Sequence, residues 1–223
     1  MKATKWKSYS LALIAGMSVL TACSSDDNND NGGNGNNGNG NEIENGTTLK
    51  GTITSDVTLT AGSTYKLSGE YIVEDGATLN IEAGVKIISI YDDIVDYILV
   101  KQGGKINAVG TSSAPIVMTS EKEEPGAWGG IHICGKAHTN AEGGKGSSEI
   151  GGATYGGNDD ADNSGTLKYV RVEYSGYAFD SEHEANGITF YGVGNGTTVE
   201  YCQAYKGSDD GFEFFGGSVN VSN

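Results

Sequence analysis

Three carboxylates close together in the sequence are the residues best suited to chemistry. Asp209, Asp210 and Glu213 fall within a few positions of one another, after Ser208 and around Gly211. Like charges at one bend repel each other unless a hard cation neutralises them, and Ca²⁺ prefers oxygen ligands. The spacing therefore predicts a calcium site. The alternative is a solvated turn, because Asp and Ser side chains often accept hydrogen bonds from turn backbone.

Trp128 is a second candidate, this time for binding. It follows Gly126 and Ala127, and its ring can stack on a sugar or fill the interior of the fold. The other chemistry-bearing residues give weaker signals. His132 alternates with two isoleucines and is expected to point outward. Cys134 and Cys202 lie in strand-like settings and are predicted to be free thiols.

The elements that position these residues are short strands. Apolar and polar residues alternate over a few positions at a time, with glycines between the runs and few signals for helix. The clearest runs are 57–59, 65–67, 71–73, 77–81, 85–87 and 98–100. The Gly-rich stretch 141–163 predicts a long loop that projects from this all-β fold.

Some of these strands repeat along the sequence. Residues 76–81 recur loosely as 104–108, and 167–172 recur as 199–204. A period from the twenties to the low thirties predicts a right-handed parallel β-helix. Its interior is expected to hold two aligned sets of side chains, namely Leu167, Tyr169, Val170 and Val172, and Val199, Tyr201, Cys202 and Ala204. An antiparallel sandwich is the competing architecture.

The N-terminal residues predict where the protein is located. Residues 1–22 combine three lysines with an apolar run too short to span a bilayer, which predicts a signal peptide. The run closes on Leu-Thr-Ala-Cys, which resembles a bacterial lipobox and implies a lipid on Cys23. Residues 23–47, rich in Asn and Gly, predict a flexible tether. Residues 48–223 are predicted to form the β-helix, which we expect to continue past residue 223 because no polar cap closes the final strand.

Charge restricts the partners of this chain. The formal net charge is −15, and loss of the three lysines of the signal peptide makes it −18. Such a surface argues against binding to nucleic acid or anionic headgroups. It suits cations or neutral partners.

Several phrases of the β-helix region resemble a known group. Residues 98–111, 114–120, 126–131 and 209–217 are together similar to right-handed parallel β-helix lipoproteins of Bacteroidota, with a pectate-lyase-like fold. The acidic residues after Cys23 resemble the export signal of such lipoproteins. The resemblance implies a lipid-anchored protein of the outer membrane, exposed at the cell surface, and assigns no activity.

A narrower resemblance concerns the candidate metal site. Residues 201–213 are similar to the calcium-binding segment of pectate lyases, which implies Asp209, Asp210 and Glu213 as ligands. The family places a further acid about one turn earlier, where this chain has Asn186. The catalytic lysine of that family lies further downstream than this sequence extends.

The expected function is therefore display and binding. The predicted address and acidic exterior favour a surface lipoprotein that binds extracellular glycans or a host surface. One alternative is a calcium-dependent polysaccharide lyase or hydrolase whose catalytic turns lie beyond residue 223. The other is a structural envelope protein.

Overall fold

The computed structural model of the chain describes residues 41–180 and 183–223. The predicted signal peptide, Cys23 and the tether as far as residue 40 lie outside the described residues. Within the described part, no helix has the length and apolar character needed to cross a membrane. The first strand begins at Asn41, so the coil starts inside the segment predicted as the end of the tether.

Strands dominate the described residues, and one 3₁₀ turn, Glu142–Gly144, accompanies them. The strands are β1 (Asn41–Ile43), β2 (Thr48–Ile53), β3 (Val57–Leu59), β4 (Thr64–Val73), β5 (Thr78–Ile81), β6 (Lys86–Ser89), β7 (Tyr97–Val100), β8 (Lys105–Val109), β9 (Ile116–Ser120), β10 (Ile131–Cys134), β11 (Gly146–Ser147), β12 (Thr154–Tyr155), β13 (Gly165–Lys168), β14 (Val170–Glu173), β15 (Ile188–Tyr191), β16 (Thr198–Glu200), β17 (Gln203–Tyr205), β18 (Phe212–Phe215) and β19 (Asn220–Ser222).

The strands form the three faces of a parallel coil. Face A runs β1-β3-β5-β8-β13-β16-β19, and face B runs from the first half of β4 through β6, β9 and β14 to β17. Face C runs from the second half of β4 through β7, β10 and β15 to β18. Because β4 passes the corner between faces B and C unbroken, it pairs with β6 at one end and β7 at the other. The predicted all-β parallel β-helix is confirmed.

The repeats seen in the sequence become aligned ladders. Leu79 pairs with Ile106 and Leu167 with Val199, on adjacent strands of face A. Their side chains are 1% exposed or less, as expected for an apolar interior built from equivalent positions of successive turns. The polar pair Lys168 and Glu200, in register beside them, forms an ion pair of 2.8 Å outside the coil.

Two residues of the predicted interior lie elsewhere. Tyr169 and Tyr201 have φ values of 51° and 53°, in the left-handed region that turns the chain at the corner between faces A and B. Because that turn directs the side chain outward, Tyr201 is 43% exposed. Cys202 is half-buried against the core, and both Cys134 and Cys202 are free, as predicted.

The long insertion between β10 and β13 does not project from the coil as predicted. Its antiparallel strands β11 and β12 lie over the outside of face C, where Ala153 and Tyr155 pack against Leu99, Cys134 and Tyr191 in a second apolar cluster. Leu99 and Tyr191 point outward from face C and would be exposed to water without the insertion. Burial of this apolar surface drives the packing of the insertion. The predicted outward position of His132 is correct, but the insertion leaves the ring 0% exposed.

Candidate functional site

The predicted calcium ligands lie at the corner between faces B and C. Asp209 and Asp210 follow β17, Glu213 belongs to β18, and Asn186 precedes β15 on the turn before. The backbone N–H of Gly187 donates to the carbonyl oxygen of Asp210 over 2.9 Å. The Asn186 amide Nδ2 donates to Oε2 of Glu213. The fold thus brings the four predicted residues together on two adjacent turns.

Two further carboxylates reach this corner without having been predicted. The carboxyl of Glu184 shares a hydrogen bond with that of Asp209. Glu149, from the insertion over face C, lies close enough to raise the pKa of Glu213 by its charge. We call Glu149, Glu184, Asp209, Asp210 and Glu213 the acidic corner. The repeat period could have found Glu184, which stands about one turn before Asp209; no sequence signal points to Glu149.

Crowding and burial change the protonation of the acidic corner. Burial, followed by the charges of Glu149, Asp210 and Asp209, raises the pKa of Glu213 to about 7. The hydrogen bond and the charge of Asp209 raise the pKa of Glu184 above its usual range. Burial also raises the pKa of Glu149. Near neutral pH, Glu213 can therefore either donate or accept a hydrogen bond at this corner.

The acidic corner is not preassembled as a coordination sphere. In the described part of the chain, no group of three or more His, Cys, Asp or Glu residues is positioned to hold a metal ion. Asn186 faces Glu213 through its nitrogen, whereas a hard cation would need its amide oxygen. Calcium binding therefore stays a prediction, and it requires side chains of the corner to turn toward a common centre.

Trp128 is not available to stack on a sugar. Its side chain is 1% exposed and belongs to the core inside the coil. The indole Nε1 donates to the carbonyl oxygen of Glu173 over 2.7 Å. The prediction that Trp128 is a binding residue is corrected in favour of the alternative, an interior residue, because a large aromatic group with one donor gains most from burial where that donor finds a partner.

A row of outward side chains on face C leads to the acidic corner from beneath the insertion. Leu99, His132, Thr189 and Glu213 are register partners on four adjacent strands. His132 and Thr189 are 0% exposed. The ring Nε2 of His132 donates a hydrogen bond of 2.7 Å to the Gly129 carbonyl oxygen, so Nε2 carries the proton. Burial lowers the pKa of His132 to about 4, so the ring is neutral near pH 7.

The fold and this corner define the class of protein as a parallel β-helix with an acidic edge beside a covered outer face. The family model of the pectate-lyase-like beta helix domain matches residues 51–223. The chain belongs to that family. Neither the curated proteins nor the solved structures that were searched gave a match.

Proposed function

We propose that this protein is a lipid-anchored cell-surface β-helix that binds extracellular glycans. Membership of the pectate-lyase-like family supports a polysaccharide-related role. The observation that carries the proposal is the convergence of five carboxylates and Asn186 on one corner of the coil. Carboxylates accept hydrogen bonds from sugar hydroxyls, and the raised pKa of Glu213 provides a donor beside them.

Calcium would strengthen such binding at the same corner. The repulsion among Glu184, Asp209, Asp210 and Glu213 falls when a divalent cation lies between them, and Ca²⁺ accepts further oxygen ligands from a sugar. We include a calcium ion at Asp209, Asp210, Glu213 and Asn186 in the proposal, with the Asn186 amide turned to present its oxygen.

A glycan array tests the binding function. The full-length chain, purified in detergent, is applied with calcium and with a chelator. We expect binding that weakens in chelator and in the double variant Asp209→Ala, Asp210→Ala. The double variant Glu123→Ala, Glu142→Ala removes two exposed acids elsewhere and serves as the matched control. Absence of binding to any glycan, with or without calcium, would overturn the proposed function.

The surface address has its own test. We expect metabolic labelling with a fatty acid to mark the native chain and to miss Cys23→Ser. The native chain should also be accessible to an antibody on intact cells. A labelled Cys23→Ser variant, or a native chain hidden from the antibody, would contradict the proposed anchor or its exposure.

Polysaccharide cleavage is the second candidate function, and one observation favours it. Glu213, with its pKa raised to about 7, has the protonation balance of a general acid or base at neutral pH. The test is incubation with polysaccharides and detection of new reducing ends or unsaturated products. New ends that require Glu213 would favour cleavage; a chain with neither glycan binding nor a calcium response would instead fit a structural envelope protein.

A further inference from the structure

A second cleft lies at the same edge of the coil, on the turns that lead up to the acidic corner. The chain crosses from face B to face C through residues 90–96 on one turn and 121–130 on the next. A cavity of about 320 Å³ opens between these two crossings and a residue of the following turn. We call it the tyrosine cleft; its principal lining residues are Tyr91, Asp92, Asp93, Ile94, Lys122 and Tyr177.

The tyrosine cleft presents apolar groups to solvent. Tyr91 is 64% exposed and Ile94 59%. Tyr177, on the far wall, packs edge to face against Phe179 with ring centroids 5.1 Å apart, and Phe179 is itself 39% exposed. A concentration of exposed rings and aliphatic groups beside a concave surface is typical of a binding site.

The loop that carries Tyr91 is held in place. The carboxylate of Asp92 accepts a hydrogen bond of 2.8 Å from the Ile94 backbone N–H. At the base of the loop, Asp96 is 1% exposed, and its Oδ1 accepts a hydrogen bond from the Gly69 backbone N–H. Burial of Asp96 raises the pKa of its carboxyl to about 6, although hydrogen bonds with Ser89, Gly69 and Ile90 oppose this shift.

Charge decides which ligand fits the tyrosine cleft. The Lys122 ammonium lies 4.8 Å from the Tyr91 ring centroid and 3.1 Å from a carboxylate oxygen of Glu124, so the position that a cationic ligand would take over that ring is already filled. Asp92 and Asp93 repel an anionic ligand, and so does the net charge of −15. The cleft therefore suits a neutral ligand that has an apolar surface for the aromatic rings and a hydrogen-bond donor for Asp93.

We propose that the tyrosine cleft binds a hexose ring of a neutral glycan. The hydrophobic face of the sugar packs on Tyr177 and on the side of the Tyr91 ring opposite Lys122, and Asp93 accepts hydrogen bonds from its hydroxyls. This inference rests on the proposed glycan-binding function and specifies its ligand class. The cleft adjoins the acidic corner, because the Ala185 backbone N–H donates to the Tyr177 carbonyl oxygen over 2.9 Å. The two sites differ in the ligand expected at each, a neutral sugar in the cleft and a cation at the corner.

Calorimetric titration of the full-length chain in detergent tests the inference. The probes are neutral hexasaccharides of glucose, galactose and mannose, and a uronic acid hexasaccharide of equal length. We expect at least one neutral probe to bind in the presence of a chelator and the uronic acid probe not to bind at the cleft. Tyr91→Ala should weaken neutral binding about tenfold, Tyr91→Phe should retain it, and Asp93→Asn should weaken it.

Matched controls separate this inference from the proposed function. Tyr201→Ala removes an exposed tyrosine at another corner, and Glu142→Gln neutralises an exposed acid on the insertion; both should bind like the native chain. Glycan binding that is unchanged in Tyr91→Ala and Asp93→Asn would show that the glycan does not bind in the tyrosine cleft, and would leave the proposed glycan-binding function standing. Preference for the uronic acid probe at the cleft would overturn the neutral ligand class. Failure of all glycans to bind would overturn the proposed function and the cleft together.

Discussion

Tyr169 and Tyr201 stack face to face on successive turns of the coil, with ring centroids 4.6 Å apart and planes 5° from parallel. Both residues turn the chain from face A to face B in the left-handed conformation. The distance between the ring centroids is close to the spacing of paired strands, about 4.8 Å. The backbone repeat therefore imposes the stack, and Lys168 lies 5.7 Å from the outer ring.

A double-mutant cycle should show that these rings interact. Tyr169→Ala and Tyr201→Ala each retain the strained backbone, so the coupling between them isolates the contact of the rings. We expect a coupling of about 0.5–1.5 kcal/mol in the free energy of unfolding, measured by urea titration. Additive single effects would show that the rings align without attracting each other.

Removal of Trp128 should destabilise the coil strongly. Trp128→Ala leaves a large cavity in the interior and is expected to lower the free energy of unfolding by about 3–5 kcal/mol. Trp128→Phe keeps most of the volume and leaves the Glu173 carbonyl without its donor, so its effect should be smaller, about 1–3 kcal/mol. Urea unfolding of both variants provides the measurement. A Trp128→Ala variant of native stability but altered glycan binding would contradict the interior role.

Because of Glu213, the stability of the folded chain should decrease as the pH rises. Its pKa in the folded chain, about 7, is raised above the ordinary value of 4.5, so the fold favours the protonated form. That contribution is fully present below 4.5 and is lost as the pH rises through about 7. Melting temperatures measured from pH 6.5 to about 8 should fall less for Glu213→Gln than for the native chain.

The range from pH 6.5 to about 8 avoids the contribution of His132, which changes stability in the opposite direction to Glu213. His132, with its pKa lowered from 6.5 to about 4, adds a change of opposite sign only below pH 6.5. Asp96, with its pKa raised to about 6, changes in the same direction as Glu213 and should leave some slope in the variant. If melting temperature falls equally with rising pH in Glu213→Gln and in the native chain, the pKa of Glu213 is not raised by the acidic corner.

Calcium should raise the melting temperature through the acidic corner. A cation bound only to the folded chain stabilises it in proportion to the logarithm of the free calcium concentration. Calorimetry with and without calcium should show this shift in the native chain and in Glu123→Ala, Glu142→Ala, but not in Asp209→Ala, Asp210→Ala. A native chain whose melt does not respond to calcium would end the idea of a cation at this corner.

Gln102 should hold the insertion against face C. Its amide Nε2 donates to the carbonyl oxygens of Gly135 and Gly156 over 2.7 and 2.8 Å, at the two sides of the insertion. Gln102→Ala should speed amide hydrogen exchange in residues 146–155, while exchange in β5 and β8 stays unchanged. Gln203→Ala, an exposed glutamine of face B, is the control. Uniformly faster exchange would indicate global destabilisation instead.

Local pattern was enough to predict the coil and the alignment of residues 167–172 with 199–204. The alternation of Ile98, Val100, Ile106 and Ala108 with residues that face outward marks strands with one buried side. Outside the insertion, register partners such as Val57 and Leu79, or Leu167 and Val199, recur 22 to 32 residues apart. The resemblance to the calcium-binding segment of pectate lyases is what placed Asn186 beside the Asp209 to Glu213 segment. In the coil Asn186 and Glu213 are neighbours because residues one turn apart are separated by a single strand spacing.

Other features depended on contacts that no repeat encodes. Trp128 and Tyr201 are both aromatic residues near turns, yet Trp128 is buried and Tyr201 is exposed. The backbone dihedral angles at each corner decide whether a side chain points into the coil or out of it. Glu149 reaches the acidic corner only because the insertion folds back over Leu99 and Tyr191.

The sequence by itself determined the β-helix, since its strands follow from periodicity, and its resemblance to pectate lyases grouped Asn186 with Asp209, Asp210 and Glu213. Only the tertiary structure decided that the insertion covers face C, that His132 is buried beneath it and that Tyr91 stands beside Tyr177 in a cleft. These relationships depend on how irregular crossings pack on the regular coil, and irregular segments carry no period from which their neighbours can be predicted.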